Sequence, residues 1–401
     1  MSEFRIINAT DVAGQRLVVR ADLNAPVQGG KVSDASRIQR FAAGIKPLLN
    51  AGARITVLSH FGRPKGERNK DFTIAPILPV LAEALGVSVS FADDCIGAAA
   101  VLASENLANG EIMLCENVRF HTGEEANDAS FAAELAKLGD IYVNDAFSAA
   151  HRAHASTAAI TKLLPAFAGP LMAEEIAALT AALEDPKRPA VAVVGGAKVS
   201  SKIAVLKNLV GKVDTVVVGG GMANTFMLAD GHPIGKSLCE ADQVPTVHEI
   251  RELAAKSGCK IILPGDVVCA FDFAPNARHI TTDLDGCPED AMILDAGPKS
   301  VELISEVFAN SKTILWNGPM GAFEMEPFDM ATIALAKVAA KLTKDGTLDS
   351  IAGGGDTVAA LNLAGAADDF TYVSTAGGAF LEWLEGNELP AIAALRRAAV
   401  N

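Results

Sequence analysis

Along the whole sequence a short apolar run gives way to a polar or glycine-rich turn and then to a stretch of helical spacing, many times over. Such alternation indicates α/β architecture with mostly parallel, buried strands. The first half places strands near Arg16–Arg20, Arg54–Leu58, Val87–Phe91, Ile112–Cys115 and Asp140–Val143. The second half places them near Ala190–Val194, Asp214–Val218, Lys260–Leu263, Thr313–Trp316, Asp349–Ile351 and Thr371–Ser374. Between the halves, Leu171–Leu183 has apolar residues at helical spacing and reads as a connecting helix. The run Glu184-Asp185-Pro186-Lys187-Arg188-Pro189 ends it, because proline stops helices. With 401 residues, half of them hydrophobic, each half is large enough for its own core. The expected division is residues 1–170, a connecting helix 171–187 and residues 188–387, with no sequence repeat relating the halves.

Charge and cysteine usage narrow the function classes. The net charge is −14. Residues 1–170 hold 16 Lys+Arg against 18 Asp+Glu, so the deficit lies in the second half. With no basic stripe, a nucleic-acid partner is disfavoured. No stretch approaches the roughly 20 apolar residues that span a bilayer, and the first ten residues carry no signal-peptide core. A cytoplasmic chain without a membrane partner is expected. The six cysteines at 95, 115, 239, 259, 269 and 287 include no CxxC pair. They read as small buried hydrophobes, not as a disulfide framework or a zinc site.

The polar motifs follow the carboxyl ends of the strands, where open α/β sheets bind ligands. Ala21–Asn24, Ser59–Pro64, Glu116–Phe120 and Asn144–Thr157 do so in the first half. They gather His60, Arg63, Arg119 and Arg152 at one edge, with Arg37 on the segment after the first strand. Guanidinium forks grip phosphate and carboxylate oxygens bidentately, so a small polyanionic metabolite is implied. In the second half the turns are glycine-rich: Gly195–Lys202, Gly219–Gly221, Asn317–Pro319 and Gly353–Thr357. Glycine admits close backbone approach, and a helix N-terminus behind it receives phosphate. Lys198 and Lys202 are four apart and are expected on one face at the start of a helix. Asp356 is a hard oxygen ligand suited to Mg²⁺ held with nucleotide phosphates. Three patterns fail on inspection. Gly231–Ser237 is one residue short of a Walker A loop, no cluster satisfies GxGxxG, and His151/His154 lack the HExxH zinc pattern.

Eight segments, in order and at matching spacing, resemble the phosphoglycerate kinase family. They are Arg20–Pro26, Ser59–Pro64, Glu116–Phe120, Val143–Phe147, His151–Thr157, Gly195–Val199, Trp316–Gly321 and Gly353–Thr357. The resemblance implies two Rossmann-like domains joined by a helix and hinge, with a substrate cleft between them. It implies a first domain that binds 3-phosphoglycerate or 1,3-bisphosphoglycerate through Asp22, Leu23, Asn24, Arg37, His60, Phe61, Gly62, Arg63, Arg119 and Arg152. It implies a second domain that binds ATP or ADP through Gly195, Lys198, Lys202, Gly219, Gly220, Asn317, Glu324, Gly354, Gly355, Asp356 and Thr357, with Mg²⁺ on Asp356. Arg37, Lys198, Lys202, Gly377 and Gly378 are implied to act on the transferring group. A monomer is implied, whose tail, about 388–401, returns to the first domain. The chain departs from the family pattern at Ser201, at Phe61 and in Ala376–Phe380; retained Gly377 and Gly378 point to an altered rate, not to lost activity. A non-catalytic nucleotide sensor on the same fold is the rival from another class, and another small-acid or sugar kinase is the enzymatic rival. Intact Arg37, Lys202 and Asp356 argue against the first.

Overall fold

The computed structural model describes residues 4–400. The chain divides into two compact units. The first runs to Ile176 and resumes at Glu388; the second is Ala177–Asn387.

In the first unit the strands are β1 (Arg16–Ala21), β2 (Val27–Gln28), β3 (Lys31–Val32), β4 (Arg54–Leu58), β5 (Val89–Ala92), β6 (Ile112–Cys115), β7 (Ile141–Asp145) and β8 (Ala166–Ala168). The helices are α1 (Ser36–Asn50), α2 (Ile77–Leu85), α3 (Gly97–Glu105), α4 (Thr122–Glu125) and α5 (Ala129–Ala136), and α6 (Pro170–Leu183) begins in this unit and runs on into the second. Six strands form one parallel sheet in the order β5-β6-β4-β1-β7-β8. Helix α1 shows why these segments settle where they do. Its apolar residues Ile38, Phe41, Ala42, Ile45, Leu48 and Leu49 recur at three- and four-residue steps and are all buried. They join Leu17, Val19, Ile55 and Val57 of the central strands in one core. From β1 the chain builds one side of the sheet, then returns to build the other from β7. The switch point therefore lies between β1 and β7, where Ala21 pairs with Asp145.

The second unit contains β9 (Ala190–Val194), β10 (Thr215–Val218), β11 (Lys260–Ile262), β12 (Asp266–Ala270), β13 (His279–Asp283), β14 (Met292–Ala296), β15 (Thr313–Asn317), β16 (Asp349–Gly353) and β17 (Tyr372–Ser374). Its helices are α7 (Ile203–Leu209), α8 (Gly220–Ala229), α9 (Val244–Ser257), α10 (Pro298–Ala309), α11 (Met330–Lys344), α12 (Gly355–Ala364) and α13 (Gly378–Leu384). The main sheet has the order β11-β10-β9-β15-β16-β17, all parallel. That is the strand order of a dinucleotide fold, with the switch point between β9 and β15. All five residues of β9 are buried, as expected for a parallel sheet covered on both faces. The final helix α14 (Pro390–Val400) belongs to the first unit, where Ala391 N donates to Ala150 O at 3.1 Å and Arg5 donates to Ala398 O.

The two parallel sheets agree with the α/β expectation. Three features lay outside it. A separate antiparallel sheet, β13-β12-β14, fills residues 266–296. The β2–β3 hairpin and the edge strand β8 were also absent from the sequence reading. Strand β13, His-Ile-Thr-Thr-Asp, is exposed at four of five positions, so it carries no apolar run or alternation to betray it.

Candidate active site

At the switch point of the first unit several of the predicted residues meet. Asp22 accepts from Arg37 Nη1 at 2.5 Å and from Ser148 Oγ at 2.6 Å. Asn24 Oδ1 accepts from Gly62 N at 3.0 Å, and Arg119 Nη1 donates to Gly62 O at 2.9 Å. Gly62 therefore fastens its loop to both segments. Arg63 and Arg152 are exposed, and Arg152 Nε donates to His151 Nε2 at 3.2 Å. Two predicted ligands turn inward: Leu23 is wholly buried, and Phe61 packs on the core. Leu23 contributes a backbone N–H to Ser59 Oγ at 3.0 Å.

Beneath this edge lies a polar network that the motifs did not reveal. Arg20, wholly buried, donates to Ser156 Oγ at 2.8 Å and to His60 Nδ1 at 3.1 Å. Glu124, also wholly buried, accepts from Ser156 N at 2.9 Å and Ser156 Oγ at 2.6 Å. Tyr142 donates its hydroxyl to Ser156 O at 2.6 Å. A guanidinium only donates, so His60 Nδ1 is the acceptor and its ring proton sits on Nε2. Burial, then the charges of Arg20 and Arg119, push His60 well below the usual histidine range; it is neutral at pH 7. His154 is lowered to about 4, by burial first and then by Arg119.

In the second unit the β9–β15 switch point is equally compact. Gly195 N donates to Asn317 O at 2.9 Å, and a Cβ on Gly195 would fall 1.9 Å from Pro319 O, so only glycine fits. Asn317 is held by its Nδ2 donating to Gly353 O at 2.8 Å, and its Oδ1 accepts from Lys202 Nζ. Burial pulls Lys202 below its usual range, against the opposing charges of Asp356 and Glu385. Thr357 Oγ1 accepts from Gly318 N at 2.7 Å. Gly354 opens α12 at φ +97°, a conformation that favours glycine, and places Gly355 and Asp356 in the first helical turn. Gly377, at φ +55°, does the same for α13 and Gly378.

The expectation for the two lysines is corrected. Helix α7 begins only at Ile203, so Lys198 and Lys202 do not share a helical face. Lys198 is exposed, and Lys202 is the partly buried residue that precedes the helix. Serine competes for the intervening backbone. Ser201 Oγ donates to Lys198 O at 2.8 Å, and Ser200 is tied by N and Oγ to Glu240.

Beside these turns is a cavity of about 270 Å³. Met227, Leu238, Val267, Met292 and Phe323 form apolar walls; Gly220, Glu324 and Asp356 also line it. Gly195, Gly219 and Asn317 are not among its lining residues: Gly195 abuts Pro319, and a Cβ on Gly219 would lie 2.6 Å from Met320 Sδ. They fix the turns around the cavity. Nothing in the sequence distinguished its apolar walls from ordinary core, and two of them come from the unforeseen antiparallel sheet.

Asp295 also lines the cavity. Its Oδ1 accepts from Ala296 N at 2.9 Å and its Oδ2 from Ala331 N at 3.0 Å. Burial nonetheless pushes its carboxyl up to about 8, with the charge of Asp329 adding to the rise. The folded chain thus holds a proton here that the unfolded chain releases near pH 4. Its contribution is complete below about pH 4 and is lost as pH rises through about 8. Folding free energy is expected to decline over this window, and Asp295→Asn should flatten the decline by up to about 1.4 kcal/mol per pH unit. Denaturant titrations at several pH values measure this, and parallel profiles for the two proteins would refute it.

An arginine-bearing strand edge suits an anionic metabolite, and glycine turns beside an apolar slot with a lysine suit a nucleotide; a protein with both is a phosphotransferase in class. The sequence profile of the family described as Phosphoglycerate kinase matches residues 7–387. A phosphoglycerate kinase of Methylobacterium radiotolerans is 56% identical over 397 residues, covering 99% of each chain. That of Agrobacterium fabrum is 56% identical over 399 residues, covering 99% of this chain and 100% of its own. Among solved structures, the Coxiella burnetii enzyme superposes with a TM-score of 0.92 at 42% identity, covering 99% of this chain and all of that one. The Pyrococcus horikoshii enzyme gives 0.81 at 30% identity, with 98% and 99% coverage. The chain belongs to the phosphoglycerate kinase family and is a kinase.

Proposed function

We propose that the chain catalyses reversible phosphoryl transfer between 1,3-bisphosphoglycerate and MgADP, giving 3-phosphoglycerate and MgATP. The observation that carries the assignment of substrates is the contrast between the two switch points. One gathers Arg37, His60 and Arg119; the other frames an apolar slot with glycine turns, Lys202 and Asp356. In the ATP-consuming direction the acceptor is a carboxylate, ionised at pH 7 because its pKa lies near 3–4. No general base is needed. The residues have to align the reactants and neutralise charge. Arg37, Arg63, Arg119 and Arg152 bind the acid's phosphate and carboxylate, and Arg37 also neutralises charge on the transferring group. Neutral His60 donates its Nε2 proton to a substrate oxygen, and Asp22 and Asn24 hold the loops that present these groups. Lys202 and the amides of Gly377 and Gly378 meet the transferring group, while Lys198 guides nucleotide phosphates from its exposed position.

The adenine enters the apolar slot, the ribose meets Glu324, and the phosphates reach the first turn of α12 at Gly354, Gly355, Asp356 and Thr357. Asp356 fits Mg²⁺: it is exposed at that helix start and lines the cavity, and this ion is commonly held by one or two carboxylates with nucleotide phosphates and water. When bound, Mg²⁺ neutralises phosphate charge. The proposal takes a single chain as the working unit, in the cytoplasm, with no nucleic-acid or membrane partner. Among the described residues no helix is long and apolar enough to cross a membrane.

The test is a coupled assay with 3-phosphoglycerate and MgATP, in which formation of the acyl phosphate is followed by a dehydrogenase that consumes it. Turnover with 3-phosphoglycerate and none with other small acids or sugars supports the reading; nucleotide binding without turnover refutes it. Arg20 supplies a second check. Arg20→Lys keeps the charge but loses the fork that reaches both Ser156 and His60. It is expected to cost about 2 kcal/mol of stability and to raise KM for 3-phosphoglycerate several-fold, with KM for MgATP unmoved. Equal changes in both KM values would remove Arg20 from the positioning of His60.

A further inference from the structure

In the first unit, apart from the groups discussed above, three ligating side chains of different chemistry meet. Asp94 and Cys95 lie on the loop between β5 and α3, and His121 immediately precedes α4. One donor atom from each lies within 4.8 Å of the other two. The cluster is built from parts that are each held. Arg68 fixes the loop by donating to Asp93 O at 2.8 Å, and Cys95 N donates to Asp94 Oδ1 at 2.7 Å. The imidazole of His121 lies against the ring of Phe131 with centroids 5.0 Å apart, and its Nε2 is 2.7 Å from Asp94 Oδ1. Cys95 is 1% exposed, whereas Asp94 and His121 reach solvent. A shallow cleft lined by His121, Thr122 and Asp128 opens beside them.

We propose that Asp94, Cys95 and His121 form a binding site for a thiophilic divalent cation of the zinc class, with water as a fourth ligand. An Asp–His pair alone is an ordinary hydrogen bond. A buried thiol within the same radius makes it a sulfur–nitrogen–oxygen set, which suits Zn²⁺ and its neighbours and not Mg²⁺ or Ca²⁺. Bonds of about 2.0–2.3 Å place the donors of a tetrahedral ion roughly 3.3–3.8 Å apart. From the present separations, within 4.8 Å, the donors must draw together by up to about 1.5 Å to meet the ion. On binding, the Cys95 S–H bond breaks, its proton leaves to solvent, and the thiolate pair forms the sulfur–metal bond. His121 exchanges its ring proton from Nε2 to Nδ1 and presents the Nε2 lone pair, while Asp94 trades its hydrogen bond for the metal. The absence of any CxxC or HExxH spacing concealed this set, because residues 94–95 and 121 come together only when β5 and β6 pair.

The experiment uses the full chain, freed of metal by chelation and titrated with Co²⁺ without nucleotide. The expected result is one Co²⁺ per chain with a thiolate-to-cobalt charge-transfer band, displaced by an equivalent of Zn²⁺ and untouched by excess Mg²⁺. Cys95→Ser should abolish the band, and His121→Gln, a change at a solvent-reached position, should weaken Zn²⁺ binding by about tenfold or more. The second variant carries the test if the first does not fold. Absence of the band, a band that persists in Cys95→Ser, or one lost instead in Cys115→Ser would each overturn the proposal.

Discussion

Lys202→Ala is expected to lower kcat by about 10²–10³-fold, the range for deleting one preorganised donor to developing charge, while the chain stays folded. The ammonium is positioned by a relay: Lys202 Nζ donates to Asn317 Oδ1, and Asn317 Nδ2 is anchored on Gly353 O at 2.8 Å. Burial disfavours its charge, and Asp356 and Glu385 restore part of it. A cation kept partly desolvated and fixed in place is worth most beside the equatorial oxygens over which the charge of the phosphoryl group in transfer is spread. Much of the effect should therefore appear in kcat, with KM for MgATP changing less. Lys202→Arg should not rescue it, because the wider guanidinium does not fit the contact with Asn317 made by a single ammonium. Single-turnover kinetics separates the chemical step from release. A loss within threefold would show that Lys202 serves binding alone.

The two parallel sheets were legible because their strands are apolar runs buried on both faces, as in Ala190–Val194. The ends of those strands were legible too, because polar residues and glycines follow them directly. What was not legible depends on contacts distant in sequence. Arg20 ends Arg-Leu-Val-Val-Arg and reads as one more strand residue; besides the neighbouring Ala21 O, its partners are Ser156 and His60, 136 and 40 positions away, and they make its burial tolerable. Glu124 gave no signal for the same reason, since its partner is Ser156. The Lys198–Lys202 turn was misread as helix because four-residue spacing outweighed the two serines between the lysines, and serine side chains compete with helix for backbone groups. The slot walls Met227, Leu238 and Met292 have no polar atom to mark them, and only the fold distinguishes a lining residue from a core one.

Arg37→Ala is expected to lower kcat by about 10²-fold or more with the fold retained, measured with both substrates saturating. Arg37 occupies the first turn of α1, at a helix start set by Asp34, whose carboxylate accepts from Ser36 N at 2.9 Å and Ser36 Oγ at 2.5 Å. Its Nη1 donates to Asp22 Oδ2 at 2.5 Å, and Asp22 Oδ2 also accepts from Ser148 Oγ at 2.6 Å. A guanidinium has five N–H donors in a fixed fork, so anchorage on Asp22 sets the direction in which the fork meets an anion. Asp22 directly follows β1 and Ser148 follows β7, so their hydrogen bond ties the two strand exits together and fixes that direction relative to the sheet. The side chain is about one-third exposed, so the group is accessible yet partly shielded from water. Removing it leaves Asp22 with Ser148 Oγ on Oδ2 and Asn24 N on Oδ1, 3.2 Å away, so the carboxylate keeps partners and stability should change little. The deficit should then be catalytic. Arg37→Lys should recover only part of the activity, since one ammonium cannot reproduce a fork that grips two oxygens. Near-normal kcat in Arg37→Ala would remove this residue from the transfer step and leave it a role in loop structure.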